Sequence, residues 1–395
     1  MDSPSIMALF DPAVRADPYP LYHALRTHDP VVFLDPPGFW FLSGYQDISA
    51  LLRDNRLGRD PRRISGDTPP VTDVFLEGAQ DILFLDPPDH TRLRRLVNSA
   101  FSAKRIEAVR PRVESLVDEL LTRAAANGGM DVIRDLAVTL PLTIICELLG
   151  VPADDHGRFK EWSTTLFYLL DPVVSAEANE AGRRARRELR SYFRHHLNSR
   201  ATSDDTLLRA MVEARYQDDR LTEDEVLSMS ALLLVAGHET TSSLIGNGLL
   251  ALLRNRDQFD LLAARPELAP SAVEEMLRYE APVQMTSRVV HEPISLRGMD
   301  LEPGRNLVLL IGAGNRDPER FADPDRMDIT RTDNQHLTFS AGIHFCLGAP
   351  LARLQAQAVF AEIARRFPDM KLVDETPRWR ETFTLRGLDT LPVSF

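Results

Sequence analysis

The longest apolar run, from about Glu223 to Leu253, dictates most of what this chain can fold into. Thr222 and Glu225 stand three apart at its start. That is capping-box spacing, in which each side chain satisfies an amide at the head of a helix. A run of this length admits a membrane span. However, Gly237-His238-Glu239-Thr240-Thr241-Ser242-Ser243 puts polar groups at its middle, and a charge there is expensive in lipid. The run reads as a buried helix crossing the whole protein. Hydroxyl and acid side chains are poor choices inside such a helix, because Thr and Ser bond back to the carbonyl four residues earlier and loosen the turn. A satisfied polar kink and a functional site both fit this stretch.

The remaining pattern is mostly helical. Residues Pro20 to His28 have helical period. Val31-Val32-Phe33-Leu34 and Phe39-Trp40-Phe41-Leu42 flank a Pro-Pro-Gly turn, which is a hairpin signal. Helical period dominates from Thr91 to Tyr279, and strand-like runs return at Val289-Val290 and from Asn306 to Ile311. Ser271 to Glu280 reads as a short helix with Ser271 and Glu274 as its capping box. It ends before Ala281-Pro282, since residues preceding proline avoid the helical region. No linker, repeat or low-complexity block divides the 395 residues, so residues 1–395 are expected to form one domain, mainly α with small peripheral β-sheets.

The 46 basic against 58 acidic residues give a net charge of −12, which disfavours general nucleic-acid binding. The start, Met1-Asp2-Ser3-Pro4, has no basic region followed by an apolar core, so neither signal peptide nor membrane anchor is expected. Two cysteines, Cys146 in an apolar helix-like run and Cys346 in a loop, leave no disulfide to expect and fit a cytoplasmic setting.

Cys346 lies in Phe339-Ser340-Ala341-Gly342-Ile343-His344-Phe345-Cys346-Leu347-Gly348, and Ala349-Pro350 then opens a helix-like run, Leu351 to Phe367. Glycines let a backbone turn tightly and approach a flat ligand. A cysteine at a helix N-terminus is biased toward thiolate, and haem iron accepts a thiolate as an axial ligand. A buried core cysteine is the plain alternative. Zinc is weaker, since a structural site needs four ligands.

The pattern F-x-x-G-x-H-x-C-x-G resembles the haem-binding loop of the cytochrome P-450 monooxygenases. Further segments resemble that family in the same order along nearly the whole chain, from Asp17-Pro18-Tyr19 to Ala349-Pro350-Leu351-Ala352-Arg353. The resemblance implies one haem-thiolate domain with a long central helix across the haem. It implies haem b with Cys346 as iron ligand, and Phe339, Gly342, Gly348, Ala236 and Gly237 against the macrocycle. Glu239 and Thr240 match the family's acid–alcohol pair. Thr240 would hold dioxygen and an ordered water, and Glu239 would link that water to solvent. His90 and Arg94, in Asp86-Pro87-Pro88-Asp89-His90-Thr91-Arg92-Leu93-Arg94, match the segment that binds the propionates, as do Arg288 and His344. Glu275 and Arg278 match a structural ion-pair motif with Arg326 as its third member. On a solvated helix, that pair alone would mean little.

The resemblance further implies a pocket walled by Val71 to Leu76 (Val74 and Phe75 among them), Phe167 to Leu170, Leu232, Val235, Ala236, Gln284 to Thr286 and Phe383. The substrate would be a hydrophobic natural product such as a macrolide, another polyketide or a terpenoid. Dioxygen would be reduced with electrons from NAD(P)H through an external ferredoxin reductase and ferredoxin, by a monomer of the soluble bacterial type. Arg92, Arg95, Lys104 and Arg353 would form a basic docking patch for the ferredoxin. A peroxide-driven peroxygenase or decarboxylase and a haem gas sensor are the rivals, and neither needs Glu239-Thr240. The basic run Arg183-Arg184-Ala185-Arg186-Arg187 reads as a solvated helix face, His195-His196 as surface histidines, and His238 is assigned no role.

Overall fold

A computed structural model describes residues 5–35, 38–60, 81–171, 174–198, 206–214 and 219–395. The helix Glu223–Arg254 is its axis, about 48 Å long at 1.5 Å per residue. The capping box forms as expected. Glu225 N donates to Thr222 Oγ1 at 3.3 Å, and Thr222 N donates to Glu225 Oε2 at 2.8 Å.

The two halves of this helix serve different cores. Val226, Leu227, Leu234 and Val235 join one apolar cluster with Leu142, Ile145, Phe159 and Phe193. Leu244, Ile245, Leu249 and Leu252 join another with Val117, Leu140, Met276 and Phe360. The polar stretch His238 to Ser243 lies between these two sets along the helix. Each buried aliphatic or aromatic side chain contributes roughly 1.5–3 kcal/mol relative to exposure. The helix is therefore held at both ends, and its middle is left to other purposes.

Beside the helices lies a five-stranded sheet. Its spatial order is Val31–Leu34, Phe39–Leu42, Asn306–Leu309, Thr286–Val290 and Leu57–Gly58. The expected hairpin pairs Val31 with Leu42 and Leu34 with Phe39. Phe39–Leu42 runs parallel to Asn306–Leu309, and Arg288 pairs with Leu307 on the neighbouring antiparallel strand. A three-stranded sheet joins Gly129–Asp131, Pro392–Ser394 and Lys371–Leu372.

Two sequence expectations are corrected. The helix expected from Ser271 spans Ala269–Tyr279, with proline in its first turn, where a missing N–H costs nothing. Ser271 is thus inside the helix and donates to Leu268 O at 3.0 Å, while Glu274 binds Arg353 through two bonds of 2.7 Å. The third member of the ion-pair motif is also reassigned. Arg326 contributes only its carbonyl, which accepts from Arg278 Nη2 at 3.2 Å, and its side chain is exposed. Arg331 takes its place, 3.3 Å from Glu275 Oε2. The loop around Asp323, which has φ of 45°, carries the chain so that the later arginine reaches the acid.

Glu275 and Arg278 are fully buried and bonded twice, at 2.8 and 2.7 Å. Arg278 also donates to the carbonyls of Asn315 and Pro324 at 3.0 and 2.7 Å. Glu275 accepts from Asp328 N at 2.9 Å and Asn334 Nδ2 at 3.1 Å. This network ties the helix Ala269–Tyr279 to the loop that leads into Cys346.

Candidate active site

The cysteine loop is shaped by two residues in left-handed conformation, Ser340 at φ 61° and Gly342 at φ 67°. A Cβ on Gly342 would stand 2.6 Å from Leu52 O, so a side chain is excluded there by both strain and contact. Cys346 N donates to Phe339 O at 2.9 Å and closes the loop. The helix Ala349–Arg366 starts three residues later. Burial pushes the Cys346 thiol up, while the amides of Gly348 and Ala349 and the charges of Arg94 and Arg353 pull the other way. The accessible part of Cys346 faces a cavity of about 990 Å³. Gly348 lines the same cavity, and a Cβ there would meet nothing within 4 Å.

The central helix forms another wall of that cavity through Leu232, Val235, Ala236, Gly237 and Thr240. Thr240 Oγ1 donates to Ala236 O at 2.7 Å. Its proton is thus committed backward, and its lone pairs remain as acceptors on the cavity side. Gly237 lines the cavity, and a Cβ on it would meet Ile145 at an ordinary contact distance of 3.4 Å, so packing against the helix Thr139–Leu149 does not by itself require glycine there.

Glu239 is buried and enclosed. Its Oε1 accepts from Thr164 Oγ1 at 2.7 Å, and its Oε2 from Arg380 Nη1 at 2.5 Å. Burial opposes its ionisation, but the His238 ring, Arg380 and Thr164 outweigh it and hold the carboxyl below the usual range. His238 is not idle. Its Nδ1 lies 3.3 Å from Ser163 Oγ and 3.6 Å from Glu239 Oε1, and burial lowers its pKa to about 4. Neither Thr164 nor Arg380 carried a local sequence signal.

Cations converge on the same cavity. His90, Arg94 and His344 line it, and Arg288 lies behind with Nη2 3.4 Å from Ser340 Oγ. The His90 and His344 rings stand 4.4 Å apart. Arg59, which sequence reasoning missed, lines it as well. Asp86 positions this corner by accepting from the amides of Arg59 and Asp60 at 2.8 and 3.1 Å. Burial and then Arg94 lower His90 to about 4; burial and then Arg59 lower Arg288 to about 9. Burial and the surrounding arginines hold His344 far below its ordinary value. Among the described residues, Arg59 Nε, His90 Nδ1 and His344 Nε2 are buried without a hydrogen-bond partner. A group bearing two carboxylates fits this corner, and the haem macrocycle with its propionates fits the cavity between it and Cys346.

Of the expected pocket residues, Phe167, Leu170, Leu232, Val235, Ala236, Thr286 and Phe383 line the cavity. Val74 and Phe75 lie outside the described residues. Gln284 does not line it. Its Oε1 accepts from Tyr22 Oη at 3.0 Å, and its Nε2 donates to Ala281 O at 2.7 Å, which turns it into the packing behind Gly312. The expected docking patch is partly neutralised. Arg92 pairs with Asp219 at 2.8 Å and Glu225 at 2.6 Å, and Arg353 is held by Glu274. His344 and Cys346 have no third His, Cys, Asp or Glu grouped for a metal among the described residues.

The cytochrome P450 family model matches residues 30–264 and 263–388. The chain is 41% identical over 389 residues to cytochrome P450 monooxygenase PikC of Streptomyces venezuelae, covering 96% of this chain and 91% of that protein. It is 38% identical over 394 residues to 6-deoxyerythronolide B hydroxylase of Saccharopolyspora erythraea, covering 96% of each. Among solved structures, P450BioI in complex with an acyl carrier protein ligated to hexadec-9Z-enoic acid superimposes with a TM-score of 0.91 at 36% identity. That match covers 97% of this chain and 99% of that one. The loop of Cys346 and the helix that carries Thr240 thus face one cavity. The chain belongs to the cytochrome P450 family, as an oxidoreductase of the monooxygenase type whose haem iron is ligated by a cysteine thiolate. Among the described residues, no helix is long and apolar enough to cross a membrane.

Proposed function

We propose that this monooxygenase, a single domain, hydroxylates or epoxidises a hydrophobic natural product of the macrolide, polyketide or terpenoid kind in secondary metabolism. The names of its relatives support this reading: a hydroxylase of 6-deoxyerythronolide B and a mycinamicin IV hydroxylase/epoxidase are each 38–39% identical to it. The observation that carries the proposal is that Cys346, the cationic corner and Thr240 line one cavity with largely apolar walls.

In this reading Cys346 Sγ is the iron ligand. His90, Arg94, Arg288, His344 and Arg59 hold the propionates through charge-assisted bonds. When bound, the haem supplies activation of dioxygen for insertion of one oxygen atom. Thr240 Oγ1 accepts a hydrogen bond in the cavity and fixes an ordered water. Glu239, held as the carboxylate, relays protons from solvent to that water. Its route to solvent runs past Arg380, whose side chain is 15% exposed, so the ion pair must open for each proton delivered. The electrons come from NAD(P)H through ferredoxin reductase and ferredoxin, and the protein acts as a cytoplasmic monomer.

Thr240→Ala tests the role of the hydroxyl. The variant is expected to bind ligand and consume reduced cofactor as the wild type does, but to release several-fold more peroxide per product. Glu239→Gln is expected to slow product formation about 10²-fold, the lower range for loss of a positioned proton donor. Peroxide yield and rate are measured with purified redox partners and a ligand chosen by its Soret shift. Unchanged coupling in Thr240→Ala counts against the assignment.

A further inference from the structure

Apart from the cationic corner, most of the cavity lining is aliphatic or aromatic, but Asp81 and Arg186 also border it. Arg186 belongs to the helix Ala176–Asn198, in the basic run expected to be a solvated face. Instead its side chain is 5% exposed and that of Asp81 is 2% exposed. Arg186 Nη1 donates to Asp81 Oδ2 at 2.9 Å, and Ser228 Oγ donates to Asp81 Oδ1 at 2.6 Å. Arg186 Nη2 stands 3.4 Å from Ser228 Oγ. Two separate segments therefore place charged atoms at one spot of the cavity wall, with Ser228 from a third segment behind them.

Stability does not account for this arrangement. Desolvating two charges commonly offsets their attraction, and replacing a buried pair with packed apolar residues is often neutral or stabilising. Recognition accounts for it better, because a buried polar group discriminates strongly against ligands that leave it unmatched. We propose that Asp81, Arg186 and Ser228 form a subsite for an uncharged oxygenated group, a carbonyl or hydroxyl, on an otherwise apolar substrate. This rests on the cavity being the substrate site.

The charge of the partner follows from the pair. Among the described residues, Asp81 and Arg186 sum to zero, and the adjacent Arg190 and Asp224 also pair, at 2.7 Å. A carboxylate or ammonium would bring an uncompensated charge into a dry wall. The guanidinium instead donates to a carbonyl, and Asp81 accepts from a hydroxyl. The distance follows from the helix. Met229, next to Ser228, lines the cavity on the same face as Thr240, eleven residues on. That separation is about 16 Å, so the recognised oxygen and the oxidised carbon lie near opposite ends of the substrate.

The test uses the haem-loaded protein and two probes. One is methyl undecyl ketone; the other is the alkene that replaces its carbonyl oxygen with a methylidene carbon. Calorimetric titration gives the ketone-to-alkene affinity ratio in wild type, in Arg186→Met, and in the double variant Asp81→Asn with Arg186→Met. The double variant removes both charges of the Asp81–Arg186 pair and keeps the test open if the single variant folds poorly. The ratio is expected to fall about tenfold or more in both, as befits loss of a hydrogen bond to a charged donor. Tridecanoate is expected to bind the wild type more weakly than the ketone. The reduced carbon monoxide spectrum of the same samples tests the monooxygenase reading separately. A preserved spectrum with an unchanged ratio in the double variant overturns the subsite alone, as does tridecanoate binding more tightly than the ketone.

Discussion

Glu275→Gln is expected to prevent this protein from accumulating as a folded, haem-loaded species. Glu275 is fully buried and carries the only carboxylate within reach of both Arg278 and Arg331 among the described ion pairs. The amide keeps the shape but removes the charge. Two guanidinium groups are then left in the interior without their counter-ion. Breaking a buried pair from one side costs about 3–5 kcal/mol, against a total stability of about 5–15 kcal/mol for a typical domain. The loop from Asp328 to Asn334 would also lose one of its two bonds to this side chain, since the amide keeps a single acceptor oxygen. Thermal melts followed by circular dichroism provide the measurement, with two comparison variants. Arg331→Ala is expected to destabilise by about 1–3 kcal/mol through the acceptor left unmatched. Arg326→Ala should change stability by no more than about 0.5 kcal/mol, as for an ordinary surface position. Equal losses for the two arginines would return the third place in the network to Arg326.

The second large effect belongs to Cys346. The reduced wild type with carbon monoxide is expected to show the strongly red-shifted Soret band of thiolate ligation, and Cys346→Ala to lose either that band or the haem. Cys146→Ala is the matched comparison. Cys146 is fully buried in the helix Thr139–Leu149, and burial pushes its thiol up to about 12. It therefore stays protonated and unable to ligate, and its alanine variant should keep the band. Retention of the band by Cys346→Ala would place the ligand elsewhere.

What the sequence disclosed was what is local. The central helix announces itself by its cap and period, and the cysteine loop by glycines within four residues of the sulfur. The hairpin at Val31 to Leu42 follows from two short apolar runs around a turn. The start of the helix at Ala269 is misread, because Ser271 and Glu274 satisfy a capping pattern while Pro270 already suits the first turn. Arg331 is missed for Arg326 because a loop, not a helical period, decides which arginine turns inward. Arg59, Arg186 and Arg380 leave no trace in the sequence for a further reason. Their partners Asp86, Asp81 and Glu239 lie 27, 105 and 141 residues away, and only the folded chain brings them together. Gln284 is polar, near the pocket in sequence and turned away from it, since Tyr22 offers a partner that no neighbouring residue announces.

The gathering of Arg59, His90, Arg94, Arg288 and His344 at one corner has a price in assembly. These residues come from segments of chain more than two hundred positions apart, so they meet only late, after large loops have closed. Burial first, and then the neighbouring arginines, lower the proton affinities of His90, Arg288 and His344. A dianionic propionate edge bound there would offset this positive charge, so its binding would also stabilise the fold. In this reading the haem would act as a clasp between distant parts of the polypeptide.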